Sequence, residues 1–236
     1  MILYSNGDSV VWGAELENKK EERFSKLISN HINGVDCNNA SAGVSNDYIF
    51  RTTLRDINHW IKYKSIWSEE SGWVTSDKIK VLIGWTAPTR FEWWDGQTYQ
   101  QERLWAGYDK WGENDKDRTT EDEFVLNQTN LIPSYIRTFQ HIQSLDSILK
   151  SHNIDFCFFN VFYEYNNITE PNSLIDKFGR PNFQTGLETY IENFEQFFKD
   201  TMYEYLSKNN GTFHDRNHPT KESHLIWAKY IIKKWL

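Results

Sequence analysis

Two stretches constrain this chain more than any others: Lys80 to Trp85 (Lys-Val-Leu-Ile-Gly-Trp) and Asp155 to Phe162 (Asp-Phe-Cys-Phe-Phe-Asn-Val-Phe). Both are too short for buried helices and almost continuously apolar, rather than alternating between apolar and polar. Such runs suit strands covered on both faces, a situation typical of parallel sheets. Shorter β-rich runs precede them at Ile2 to Ser5 and Val35 to Asn38, and a brief final strand is expected around Thr212 to His214. Helical spacing fills the intervals, with helices expected over Ser45 to Tyr63, Pro133 to Ser151, Leu187 to Lys208 and Pro219 to Trp235. Alternation of this kind predicts βα units and an α/β domain. At 236 residues the whole chain, 1–236, is expected to form one such domain.

The irregular interval from about 88 to 130 is too long to be a plain connection. It holds Trp93, Trp94, Tyr99, Trp105, Tyr108 and Trp111 among charged residues, so it reads as an aromatic-rich insertion at the active-site edge. A net charge of -7 argues against a phosphate backbone as the main partner, and no basic stripe with interleaved aromatics is present. Nucleic acid is therefore not an expected partner. No apolar run reaches bilayer-spanning length, and Met1-Ile2-Leu3-Tyr4 enters the first strand with no apolar leader, so neither a membrane nor export is expected and a cytoplasmic location follows. Cys37 and Cys157 sit in apolar strand-like segments and are expected to be buried free thiols.

Four blocks carry chemistry. The first, Asn6-Gly7-Asp8-Ser9, follows the first strand, where a hydroxyl projects into the ligand crevice of an open α/β sheet. Taken alone it also reads as an N-capped helix start. The second, Asn39-Ala40-Ser41-Ala42-Gly43-Val44-Ser45-Asn46, offers the Gly43 N–H to an anion, with Ser45 as a helix cap. The third is Gly84-Trp85-Thr86-Ala87-Pro88-Thr89-Arg90, at the end of a buried strand. The fourth, Asp215-Arg216-Asn217-His218-Pro219, precedes the last helix, with Pro219 suited to its first position. Asp215 is placed to orient His218, as the acid does in a Ser-His-Asp triad. His214 and His224 make a metal conceivable there, but no second ligand cluster supports one, and none is expected.

In order and spacing these blocks resemble the SGNH (GDSL-like) hydrolase family, whose blocks run Gly-Asp-Ser, a glycine, Gly-x-Asn-Asp and Asp-x-x-His. The resemblance implies a three-layer α/β/α sandwich around a central parallel sheet of about five strands, flavodoxin-like in layout. It implies a catalytic Ser9, Asp215 and His218, with an oxyanion hole formed by Ser9, Gly43 and the third-block residue. There the chain departs from the pattern: Thr86 replaces the family's asparagine. Arg90, Asn46 or the Trp85 indole is a possible substitute donor. The Gly-Trp-Thr-x-Pro-x-Arg form is similar to divergent SGNH-like proteins of bacterial viruses, which would make a phage-encoded copy virion-associated.

The implied reaction is ester hydrolysis through an acyl-enzyme, with no cofactor. A carbohydrate carrying acyl, chiefly acetyl, esters is the expected substrate, because flat aromatic faces such as Trp93 and Trp94 can stack on sugar rings. Asn46, Trp85 and Arg90 complete the expected substrate-binding set. The other reading of those tryptophans is a small aromatic core within the insertion. Two rivals stay open: acyl transfer to an alcohol on the same scaffold, and a carbohydrate-binding module with impaired catalysis, which Thr86 would favour.

Overall fold

The structure is a computed structural model and describes residues 1–88, 90–94, 99–102, 131–162 and 200–236. A parallel sheet carries the fold. Its strands are β1 (Ile2–Asn6), β2 (Val35–Asn38), β5 (Ile79–Trp85) and β8 (Asp155–Asn160), in the spatial order β2-β1-β5-β8. Register runs from Ile2 opposite Val35 and Ile79 to Trp85 opposite Asn160.

Period-two alternation sorts the strand side chains onto two faces. Ile2, Tyr4, Val81, Ile83, Trp85, Phe156 and Phe158 pack with residues of α4 (Asn46–Tyr63) and α5 (Leu131–Ser151), among them Ile49, Ile57, Trp60, Leu145 and Leu149. Leu3, Leu82, Cys157 and Phe159 face the other way. They meet Phe24 and Ile28 of α3 (Phe24–His31), Met202 and Leu206 of α6 (Met202–Lys208), and Trp227 and Ile231 of α7 (Lys221–Trp235). The result is a three-layer sandwich whose strands are apolar on both sides because both sides are covered. Cys37 and Cys157 are buried free thiols.

Several local expectations change. Among the described residues the sheet has four strands, and the segment around Thr212 to His214 contributes only an isolated bridge, Phe213 to Pro219. Pro219 therefore precedes the α7 cap, Thr220, instead of opening the helix. The helix expected from Leu187 through Lys208 cannot be continuous, because Thr201 is extended (φ -70, ψ 155) and caps α6 through the Glu204 N–H. Residues 187–199 of that expectation lie outside the described residues. Two short helices, α1 (Ser9–Trp12) and α2 (Lys19–Glu22), and a hairpin, β3 (Ser65–Ser68) with β4 (Gly72–Thr75), had no counterpart in the periodicity. The insertion opens with an antiparallel hairpin, β6 (Phe91–Trp94) and β7 (Tyr99–Glu102). Its residues 103–130, and the Trp93 and Trp94 side chains, lie outside the described residues. No helix among the described residues is long and apolar enough to cross a membrane.

The strand order fixes where a ligand can sit. From β1 the chain crosses to β2 on one side, then passes back to β5 on the other, so the carboxyl ends of β1 and β5 frame the switch point of the sheet. Gly7 and Gly84 lie there. A Cβ on Gly7 would come within 2.3 Å of Val11 Cγ2 and 2.9 Å of the Gly84 carbonyl, so glycine lets the two strand ends close up.

Candidate active site

Block one is built as a tight nest around its own carboxylate. Asp8 caps α1, accepting the Val10 N–H at 3.0 Å through Oδ1. Ser9 becomes the first residue of that helix and is partly exposed. The helix stops after one turn at Gly13, whose φ of 83 suits glycine. Two residues later Glu15 itself adopts a left-handed backbone, φ 66. This double reversal brings Glu15 back towards the crevice.

The His218 loop is pinned from several sides. His214 N–H donates to His218 O at 2.8 Å, and Asn217 N–H to His214 O at 2.8 Å. Asn217 has φ 63, a conformation asparagine tolerates. The Tyr203 hydroxyl donates to Asn217 O. Thr220 N–H donates to Thr212 O at 3.0 Å, and Ser223 Oγ on α7 bonds both the N–H and the carbonyl of Thr212.

Held this way, His218 Nε2 lies 3.1 Å from Ser9 Oγ. Its Nδ1 lies 2.8 Å from Glu15 Oε2, not from Asp215. Asp215 is exposed within the turn that closes between His214 and Asn217. The sequence expectation for Asp215 is thus corrected: the acid beside His218 is Glu15. A carboxylate accepts and does not donate, so its contact with Nδ1 favours the tautomer whose Nε2 lone pair faces the serine hydroxyl. No sequence spacing flags Glu15; the left-handed backbone at Gly13 and at Glu15 itself is the local reason that it returns.

The other proposed contacts divide. Thr86 Oγ1 donates to Asp8 Oδ2 at 2.7 Å, and its N–H donates to Asn46 Oδ1 at 2.9 Å. Asn46 Nδ2 in turn donates to Thr86 O at 3.0 Å and Thr138 Oγ1 at 3.2 Å. Asn46 is a buried latch between α4, β5 and α5, not a substrate contact. Trp85 is 0% exposed and packs edge-on against Phe158, so it belongs to the core and is not a substrate contact either. Gly43 has φ 74 in the loop ahead of α4, which approaches block one through Ser41 N–H donating to Gly7 O at 3.1 Å.

Close to Arg90 along the chain, Glu92 is bonded by Arg51. Arg90 Nη1 reaches Asp8 Oδ2 at 3.2 Å. The Tyr203 phenol stands by the same groups: burial first, then the Asp8 carboxylate, pushes its pKa up, with smaller effects from Arg90 and Glu15.

The histidine neighbours are structural. His224 Nδ1 accepts the Phe24 N–H at 3.2 Å and its ring stacks on Phe24, with centroids 5.5 Å apart. Burial, then the nearby His214, pushes the His224 imidazole down to about 3. Among the described residues no group of three or more His, Cys, Asp or Glu is arranged to hold a metal ion.

No protein-family model matches the chain, and no curated protein does. Among solved structures, TesA superposes on 99% of this chain and 97% of its own, with a TM-score of 0.52 at 9% identity. A lipolytic protein of the G-D-S-L family from Veillonella parvula gives 0.49 at 13% identity, covering 99% of this chain and 97% of its own. Axe2, an acetyl xylan esterase from Geobacillus stearothermophilus, gives 0.48 at 14% identity, covering 99% and 93%. The likeness to TesA shows a shared fold, a three-layer α/β/α sandwich around a parallel sheet.

Proposed function

We propose that this protein is a serine esterase that hydrolyses acyl, chiefly acetyl, esters on a carbohydrate, with Ser9 as nucleophile, His218 as base and Glu15 as the acid that orients it. The observation that carries the reading is the chain of contacts Ser9 Oγ to His218 Nε2 at 3.1 Å and His218 Nδ1 to Glu15 Oε2 at 2.8 Å, at the switch point of the sheet. Nucleophile, base and orienting acid within hydrogen-bond reach of one another are the requirements of acyl transfer to a hydroxyl.

His218 takes the Ser9 proton as Oγ attacks the ester carbonyl. The N–H groups of Ser9 and Gly43 receive the oxyanion. Collapse of the tetrahedral intermediate expels the alcohol, which leaves with the proton from His218. Water then repeats the sequence on the acyl-enzyme. Glu15 holds the ring in one tautomer and offsets the charge of the imidazolium.

Support for a sugar-bearing substrate comes from the insertion. The backbone of β6, which carries Trp93 and Trp94, lies against the first turns of α4: Glu92 N–H donates to Asp47 Oδ2 at 3.3 Å, and Arg51 bonds Glu92 in two places. Those turns begin directly after the Gly43 loop, which supports a role for the hairpin in binding the substrate.

Hydrolysis of p-nitrophenyl acetate and of acetylated sugars by wild type, lost in Ser9→Ala, tests the reading. An unchanged rate in Ser9→Ala sinks it. Running the assay with an added alcohol acceptor distinguishes transfer from hydrolysis by the product. A second reading, a carbohydrate-binding module, is favoured by one observation, the commitment of both Thr86 donors within the protein.

A further inference from the structure

An SGNH-type site with no donor in its third block has a gap in its oxyanion hole, and the candidates for filling it reduce by elimination. The Thr86 hydroxyl and N–H are both committed, the Asn46 amide is committed, and the Trp85 indole is in the core. Arg90 remains. We propose that the Arg90 guanidinium is the third oxyanion donor of this site, held in place by Asp8. The assignment rests on the serine-esterase reading above.

Its position follows from the local chain. Pro88 sits at the second position of a turn in which Arg90 N–H donates to Ala87 O at 3.1 Å, and proline pre-sets the backbone there. The turn folds the Arg90 side chain back over block one. Arg90 Nη1 and Thr86 Oγ1 share a single acceptor atom, Asp8 Oδ2, at 3.2 Å and 2.7 Å, so the guanidinium stands beside the third-block side chain it would replace. Asp8 is itself immobile: it is fully buried, and its other oxygen caps α1 directly beneath Ser9. The Phe162 ring, 5.7 Å from the guanidinium carbon, backs the opposite side. The Arg90 side chain is 13% exposed, enough for its remaining N–H groups to meet a ligand but not to swing away.

The Asp8 partner also decides between two uses of such a cation. A free arginine in a crevice attracts a standing carboxylate or phosphate on the substrate. Here the buried Asp8 charge already offsets it, which weakens that attraction. What persists is a set of fixed N–H dipoles, useful when charge develops on the carbonyl oxygen in the transition state. Arg90 donates hydrogen bonds in this step and transfers no proton: the bond from Ser9 Oγ to the carbonyl carbon forms, the carbonyl pair moves onto oxygen, and the Ser9 proton goes to His218.

The test measures kcat and KM for p-nitrophenyl acetate, a neutral substrate, in wild type, Arg90→Ala and Arg90→Lys, with and without added guanidinium ion. Labelling of Ser9 by a fluorophosphonate is followed in parallel. The expected result for Arg90→Ala is a fall in kcat of about 10²–10³ with KM little changed, the size seen when one oxyanion donor is removed. Guanidinium should restore part of that activity, and Arg90→Lys should lie between the two. If Arg90→Ala loses its folded structure by circular dichroism, the Arg90→Lys value and its ratio to wild type carry the test. Unchanged kcat in a folded variant overturns the assignment alone, as does a rise in KM for anionic esters only, which would make Arg90 a substrate receptor. Absence of both turnover and Ser9 labelling in wild type overturns the esterase reading and this assignment with it.

Discussion

Glu15 Oε2 meets His218 Nδ1 at 2.8 Å across 203 positions of chain, while Glu15 lies in the same short segment as Ser9. In the proposed triad, nucleophile and orienting acid thus come from one short segment, and the base comes from the other end of the chain. Arg216 Nε stands 4.0 Å from the same carboxylate on its outer side, at a highly exposed position where such a contact is worth little. The candidate site is therefore assembled from two segments distant in the chain, one holding Ser9 and Glu15 and the other His218.

If Glu15 orients the imidazole, Glu15→Gln should lower kcat by a factor on the order of 10³–10⁴, as expected when the acid of such a triad can no longer fix the tautomer. Asp215→Asn should leave kcat close to wild type. Steady-state kinetics on an aryl acetate decide between the two acids, and the reverse ranking would return the role to Asp215.

Gly7→Ala should be among the more damaging small changes. Its Cβ would fall 2.3 Å from Val11 Cγ2 and 2.9 Å from the Gly84 carbonyl, and the backbone partner cannot rotate away. Overpacking of this kind typically costs about 1–3 kcal/mol. Val11 belongs to α1, so the strain falls on the helix that presents Ser9. A lower urea midpoint together with a lower kcat is the expected pair of results. A shift in neither would mean that the two strand ends separate freely.

The pH dependence of stability should carry a signature of His224. Its imidazole is pushed down to about 3 in the folded protein, against about 6.5 when unfolded. Between those values the unfolded chain binds the proton and the native one does not. The contribution is therefore fully present above about pH 6.5 and is lost as pH falls towards about 3, by roughly 1.4 kcal/mol per pH unit within the window. His224→Phe, which retains an aromatic ring to stack on Phe24, should show a shallower loss of denaturation midpoint between pH 7 and 5. Parallel curves would mean that His224 is protonated inside the fold.

A buried charge cluster offers a fourth test. Arg23, 1% exposed, bonds Asp36 through Nε at 2.9 Å and Glu70 through both terminal nitrogens at 2.8 and 2.6 Å. Removing the cation strands Asp36, which among the described residues retains Ser25 as its side-chain donor. Arg23→Met should cost about 3–5 kcal/mol, and Arg23→Met with Asp36→Leu considerably less, because the uncompensated charge is then gone. Chemical denaturation of the two variants measures the difference; equal losses would show that Asp36 is neutral or hydrated without Arg23.

Burial of a strand on two faces leaves a mark in composition, and that is why the parallel sheet and its flanking helices were legible in Lys80 to Trp85 and Asp155 to Phe162. Block order was legible for a related reason: Ser9 and His218 follow or precede regular elements whose ends converge at one edge of such a sheet, and they lie 3.1 Å apart. The pairing of side chains across the crevice was not. Chain proximity favoured Asp215 for His218, but a turn with a left-handed Asn217 leaves it exposed, while two reversals after α1 bring in Glu15. The same holds for Thr86, Asn46 and Trp85, polar or amphipathic residues in suitable positions by sequence. Only the packed molecule shows that the hydrogen bonds of Thr86 and Asn46 are spent on Asp8, Thr138 and one another, and that the Trp85 ring packs into the core. Periodicity records how much of a residue is covered; which atoms cover it is decided by contacts between segments distant in the chain, and those exist only once the layers have closed.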